Sequence, residues 1–296
     1  NNSTFTYQIT NLSPNTDIFI RIQGAGISNY YDVYTKTLGG QTAALDSIIT
    51  SGQSKTGIQS IHLYAPDILL LIIRDERAQS FSQQSNTLDG GVEQLLNYTG
   101  PTWQSGSWSI TRNNGTVINV TNKYRDSIPV GNLYEGLVSN GEQWGGAQNS
   151  HLMDVEHYIY LKLDSAIGQK EILNIAGPNN LSLKLPFSDQ YLETPVIQLN
   201  QVGYNPRATK RYAYVSGWMG DGGPLSLSNF PTQAKVLVEP SNTLAPRSAA
   251  VSDIPVALRA SFDTAAGTEV KEINLAGVSA NDTVFYRVQL PGVGVS

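Results

Sequence analysis

The chain has 296 residues, 40% of them hydrophobic and 15% charged, with a formal net charge of −5 and no cysteine. An acidic chain without a Lys/Arg cluster lacks the basic face that nucleic acid or an anionic membrane needs. The absence of cysteine excludes disulfides, thiolate metal sites and cysteine nucleophiles.

The length fits two or three domains. The longest apolar run, Ile68 to Ile73, is too short to cross a bilayer, so no membrane insertion is expected. Ser, Thr, Asn, Gln and Gly fill the polar positions, as on the amide- and hydroxyl-rich faces of extracellular β-proteins. Sequons at Asn1, Asn2, Asn11, Asn97, Asn114, Asn119, Asn180 and Asn281 are candidate N-glycosylation sites, with chance as the competing reading because Asn, Ser and Thr are abundant. No signal peptide is visible at Asn1, so the start reads as a processed terminus or a boundary within a longer chain.

Almost every segment reads as strand and turn, and the expected fold is all-β, a tandem of β-sandwiches. The short helix candidates are Thr42 to Ile49 and Gly91 to Leu96. In residues 1–56, Phe5 to Ile9, Ile18 to Gly24 and Tyr31 to Thr37 alternate apolar and polar as strands do. The turn between the first two carries Leu12, Pro14 and Thr16. That order is similar to the second half of a fibronectin type III domain, with Phe19 where that family often has a corner tyrosine. The resemblance implies half a sandwich, whose open edge would be completed by residues elsewhere or by another chain. The plainer reading is an extra hairpin packed on the next domain.

In residues 57–193, strands are expected at Ile61 to Tyr64 and Ile68 to Arg74 around the Ala65-Pro66-Asp67 turn. Trp108 to Arg112 and Thr116 to Val120 should form a hairpin, since Asn113-Asn114-Gly115 supplies the positive φ of a tight turn. Val155 to Leu163 is the cleanest strand, and Leu181 to Leu185 closes the domain. Lys123 to Asp154 reads as a long loop, the kind that often carries function. In residues 194–296 the expected strands are Val196 to Leu199, Arg211 to Ser216, Ala234 to Glu239, Ala257 to Asp263, Glu269 to Leu275 and Thr283 to Leu290.

The stretch Ile197-Gln198-Leu199-Asn200-Gln201-Val202-Gly203-Tyr204-Asn205-Pro206, followed by the strand Lys210 to Ser216, resembles the opening of the immunoglobulin-like module that precedes the catalytic barrel of family-9 glycoside hydrolases. The tail Phe285 to Ser296 matches the end of that module, short of its last aromatic strand. Residues 57–193 look like the companion β-sandwich that precedes the module in some members, with Ile167 to Ile172 at the place of its short hairpin. The resemblance implies a secreted or cell-surface polysaccharide-degrading enzyme whose catalytic domain lies outside these residues. It also implies that Trp218 and Tyr204 pack between the module and its neighbour.

No catalytic pair is legible. Glycoside hydrolysis needs two carboxylates across a cleft. Asp75 and Glu76 are adjacent, so on a strand they point to opposite faces. Asp221, in Gly217-Trp218-Met219-Gly220-Asp221-Gly222-Gly223, reads as part of a Gly-rich turn. Asp154 and Glu156 would share a strand face opposite His157, with no third ligand for a metal. His62 and His151 have no obvious partner. No nucleophile elbow or phosphate loop is present, and no cofactor is expected. The better chemical candidate is sugar stacking by Trp103, Trp144, Tyr124 and Tyr134 near the long loop, against the plainer reading that these aromatics cover the sandwich. Trp108 reads as strand core.

Two functional readings follow. One is a non-catalytic accessory region of a cellulase-like hydrolase, with the parent's catalytic domain and polysaccharide as partners. The other is an extracellular structural glycoprotein, a surface-layer or filament subunit joined to neighbouring copies by strand addition.

Overall fold

The computed structural model describes residues 17–23, 30–36, 57–75, 100–135, 150–200, 203–205, 207–239, 247–279 and 285–296. The expected strand Phe5 to Ile9 and both expected helices lie outside them. The described chain is all-β, with one six-residue helix, α1 (Gly100–Ser105), that strand-and-turn patterning did not anticipate.

β1 (Asp17–Gln23) and β2 (Tyr30–Lys36) form an antiparallel two-stranded sheet with Ile20 opposite Val33 and Arg21 opposite Asp32. No other described strand is laddered to it.

The next two sheets face each other. One has the order β3 (Gly57–Ala65), β4 (Ile68–Asp75), β8 (Ser150–Leu163), β7 (Val120–Glu135). The other has the order β10 (Leu181–Pro186), β9 (Ile172–Gly177), β5 (Ser109–Arg112), β6 (Val117–Ile118). The β3–β4 turn at Pro66–Asp67 is pinned from β8, where Leu163 N–H donates to Asp67 O at 2.8 Å and Lys162 Nζ meets the Asp67 carboxylate at 2.5 Å. At the β9–β10 turn, Asn179 and Asn180 are both left-handed (φ 56° and 60°), and Leu181 N–H donates to Pro178 O. That is the hand a hairpin turn favours.

Residues 123–135 are strand, not loop. β7 pairs with β8 from Val120 to Glu135. Pro129 and Gly131 disguise it as a breaker-containing loop. The structure puts both where a strand tolerates them. β7 is a sheet edge, where Pro is permitted, and Gly131 falls at a register shift between Val130 and Asn132.

The remaining strands are β11 (Ile197–Gln198), β12 (Tyr212–Val215), β13 (Gln233–Glu239), β14 (Ser248–Asp263), β15 (Thr268–Asn274), β16 (Phe285–Leu290) and β17 (Gly294–Val295), in the order β11-β12-β15-β14-β13-β16-β17. β14 begins nine residues before the expected Ala257. Its first half pairs with β13, and from Val256 it pairs with β15. The kink lies near Asp253, at φ 59°. A strand that changes partner at a bend is how two packed sheets share a corner. The ends of this sheet are drawn together by the segment before β11, because Glu193 bridges Val295 in parallel and Ile197 pairs with Val215.

Two hydrophobic cores result. The first lies between the two facing sheets and contains Leu63, Leu69, Leu71, Ile73, Ile159 and Leu161 against Ile110, Leu173, Ile175, Leu185 and Phe187. The second lies inside the seven-stranded sheet, around Val196, Val215, Leu227, Val236, Ile273 and Leu290. Tyr64, Ile68, Leu70 and Tyr160 belong to that second core. The middle strands β4 and β8 of the sheet β3-β4-β8-β7 are therefore covered on both faces. This explains the run Ile68 to Ile73, since a strand covered on both sides has no solvent face to fill with polar residues.

Candidate functional site

The best-defined constellation is the joint between the two cores. It has a tyrosine centre, a glycine-rich latch and a pinned connecting segment.

Tyr64 stands at the end of β3. Its hydroxyl donates to Trp218 O at 3.0 Å and accepts from Trp218 N–H at 2.9 Å. Its ring meets Tyr160 edge-on, centroids 4.9 Å apart. Burial pushes the Tyr64 phenol above its usual range despite the Trp218 hydrogen bond. Burial also raises Tyr160, helped by the neighbouring Tyr64 and Asp126. Both phenols stay neutral and serve as hydrogen-bonding and packing groups.

The latch is Gly217 to Gly223, with a 3-10 turn at Gly220–Gly222. Asp221 reaches across to β7 and α1. Its carboxylate accepts from Arg125 N–H at 2.8 Å and from Gln104 Nε2 at 2.6 Å. The backbone comes so close that a Cβ on Gly220 would lie 2.1 Å from Arg125 O, and one on Gly222 would lie 2.6 Å from the Tyr124 ring. Gly220 also has φ +60°, so glycine is required there twice over. The sequence alone made Asp221 part of a Gly-rich turn. The structure makes that turn a docking element, and the dense glycines in Gly217 to Gly223 were its signal.

Behind the latch, Arg125 donates to Gln104 Oε1 at 3.3 Å and to Ser127 Oγ at 2.8 Å. Ser127 Oγ lies 2.8 Å from His157 Nδ1, and His157 is fully buried. His157 and Glu156 face opposite ways, as strand alternation requires. Glu156 pairs with Arg74 at 2.5 Å.

The connecting segment is held at each step. Thr194 Oγ donates to Leu63 O at 2.7 Å. His62 Nδ1 lies 2.7 Å from Glu193 O, and its Nε2 lies 2.8 Å from Ser60 Oγ. Burial holds the His62 pKa below its ordinary 6.5, opposed by the Glu193 carbonyl. Glu193 pairs with Arg287 at 2.8 Å, and the buried Asp189 carboxylate accepts from Gly292 N–H at 2.7 Å. Burial raises the Asp189 pKa. Periodicity gave no sign of this role for His62, which alternates within β3 like any other polar strand residue.

In the Asn200 to Tyr204 motif the described residues are tied by local hydrogen bonds. Gly203, at φ +93°, donates to Asn200 O at 3.1 Å, and the Tyr204 hydroxyl donates to Tyr212 O. This bond ties Tyr204 within its own unit, and its side chain packs on the core to which Tyr64, Ile68 and Leu70 also belong. Trp218 joins the units through its backbone, while its side chain is 49% exposed beside Gly267.

The candidate sugar-stacking residues do not come together among the described side chains. Trp103 is 7% exposed inside the first core, its ring 6.5 Å from Trp108, which leaves almost no face for a sugar. Tyr124 packs against Gly222 of the latch. Tyr134 lies opposite His151 in the β7–β8 ladder, and its side chain, like all of Trp144, is outside the described set. Of the sequons, Asn114 and Asn180 are exposed on hairpin turns, and Asn119 is exposed with its amide 2.6 Å from Asp164. Asn2, Asn11, Asn97 and Asn281 lie outside. Among the described residues no group of three or more His, Asp or Glu is placed to hold a metal ion, and no helix is long and apolar enough to cross a membrane.

No family model and no curated protein matches this chain. Among solved structures it is similar to a pullulanase from an Anoxybacillus species, at 5% identity and TM-score 0.19, covering 78% of this chain and 24% of that one. It is similar to the type I pullulanase of Bacillus subtilis at 8% identity and TM-score 0.21, covering 84% and 25%. It is also similar to the C-terminal domain of the Streptococcus agalactiae AgI/II polypeptide BspA at 10% identity and TM-score 0.16, covering 80% and 86%. The chain spans about a quarter of the length of the two pullulanase chains. At these TM-scores the likenesses carry no argument for a shared fold or activity.

Proposed function

We propose that these residues are a non-catalytic accessory region of a secreted or cell-surface polysaccharide-degrading glycoside hydrolase. Residues 57–193 and 194–296 act as one stiff scaffold for a catalytic domain outside this sequence. The observation that carries the reading is the joint. A sheet whose middle strands are covered on both faces and which is latched at Asp221 resists the relative motion that small polar interfaces between domains allow. The Asn200-Gln201-Val202-Gly203-Tyr204 motif supplies the enzymatic neighbourhood, by resemblance to the family-9 module. The test has two arms. The full-length protein should exceed 32.1 kDa and release reducing sugar from cellulose or mixed-linkage glucan, while the 296-residue chain alone releases none. A native mass near 32.1 kDa, or turnover by the isolated chain, would sink it.

A second reading is a structural subunit that assembles by strand addition. It is favoured by the two-stranded β1–β2 sheet, which has no third described strand of its own. Native particles of many copies, without hydrolytic activity, would establish it instead.

A further inference from the structure

Each sheet edge of a β-protein is a template for another strand unless something blocks it. Here most edges are blocked. The β7 edge has Asp221 on Arg125 N–H. The β3 edge has Thr194 on Leu63 O. The seven-stranded sheet is drawn closed through Glu193 and Val295. β6 is two residues long. Among the described residues the outer side of β10, six residues long, has no strand laddered to it, and the outer sides of β1 and β2 have none either.

An isolated two-stranded hairpin has little stability of its own in water. β1–β2 is such a hairpin, and β2 comes within 8 Å of β10, Cα to Cα. Strands in a ladder stand about 4.8 Å apart, so the two lie less than two strand spacings from each other. Leu183 and Leu185 of β10 turn into the first core, while Ser182 is exposed. Pro186 has no N–H to offer and sets the limit of any further pairing.

We infer that the outer edge of β10 is a strand-binding surface and that its occupant is β2 of the same chain. Pairing makes a six-stranded sheet in the order β1-β2-β10-β9-β5-β6. The hairpin covers the β10 edge and keeps that edge from pairing with a second copy. The inference is independent of the hydrolase reading, since it concerns only how this edge is filled.

The cysteine-free chain permits a clean test. In the full chain, Asp32→Cys or Tyr34→Cys is combined with Ser182→Cys or Lys184→Cys, and each pair is oxidised mildly. A disulfide needs Cα atoms within about 7 Å, so closure reports pairing. The expected result is an intrachain cross-link at monomer mass in at least one pair. Cross-links only between chains, or none in all four pairs, would overturn the assignment. Val33→Pro tests the covering role by removing a ladder N–H from β2. It should make the protein self-associate with rising concentration in light scattering. A Val33→Pro chain that stays monomeric at every concentration reached by the parent would refute that role.

Discussion

The Tyr64 hydroxyl fills the gap between the N–H and the C=O of Trp218, accepting from one at 2.9 Å and donating to the other at 3.0 Å. A single phenol thus does for the latch what a neighbouring strand would do, satisfying both backbone groups of one residue where no strand reaches. Tyr64→Phe keeps the ring and removes both bonds. Leaving those two groups without the hydroxyl should cost about 1–3 kcal/mol, read as a lower denaturant midpoint with unchanged slope. An unchanged midpoint would mean that water replaces the hydroxyl at no cost.

Gly220→Ala and Gly223→Ala separate close approach from backbone conformation. Both glycines have positive φ, but only at Gly220 would a Cβ meet backbone, at 2.1 Å from Arg125 O. Gly223→Ala should cost about 1 kcal/mol for its φ alone. Gly220→Ala should lose more and should open the latch, seen as faster amide exchange at residues 217–223 and at Arg125. Equal losses would show that the approach is slack.

Leu70 and Leu71 are sequence neighbours, each at most 1% exposed, that serve different cores. Replacing either with Ala should cost about 2–5 kcal/mol. If the shared sheet couples the cores, each variant should still unfold in one transition. Two resolved transitions in Leu70→Ala would show that the joint is weaker than the cores it connects.

Most of the fold could be read from the sequence, and the joint could not. Strands such as Val155 to Leu163 and Leu181 to Leu185 announce themselves because one face is apolar and local alternation reports it. β7 hid because Lys123, Arg125, Asp126 and Ser127 give it a polar, half-buried stretch with no apolar alternation to report. Its Pro129 and Gly131 then read as breakers. Tyr64, Thr194 and Asp221 were invisible as partners because they stand 154, 131 and 96 residues from Trp218, Leu63 and Arg125, the residues they bind. Nothing local encodes such pairs. Trp103 misled in the opposite way, since an aromatic near a supposed loop suits a sugar until α1 turns it into the core.

Acid should loosen the connecting segment through His62. Its folded pKa lies below the ordinary 6.5, so the folded state binds fewer protons than the unfolded chain. The stability tied to neutral His62 is present above pH 6.5 and is lost as pH falls from there towards the folded value. Denaturant midpoints should therefore decline on acidification below about 6.5, and His62→Gln should flatten that decline. An equally steep decline in the variant would assign the effect elsewhere.

Asp189 should act with the opposite sign. Burial raises its pKa above the ordinary 3.8, so the folded state binds more protons than the unfolded one between the two values. Its contribution is fully present at lower pH and is lost as pH rises through that window. Asp189→Asn keeps an acceptor for Gly292 N–H and removes the charge. The variant should match or exceed the parent at pH 7 in thermal unfolding and lose its advantage in acid. A destabilised variant at pH 7 would show that the charge is needed.

The bridge between Glu193 and Val295 fixes where the polypeptide enters and leaves the last unit. Thr194 N–H donates to Val295 O at 2.8 Å, and Val295 N–H donates to Leu192 O at 2.9 Å. The doorway in and the doorway out are the same doorway. A hundred residues are therefore inserted with almost no gain in distance along the chain path. Anything joined after Ser296 would emerge beside the connecting segment and not at the far end of a rod. In engineering terms the unit is hung from the chain path like a side bracket, with its two ends held at one point.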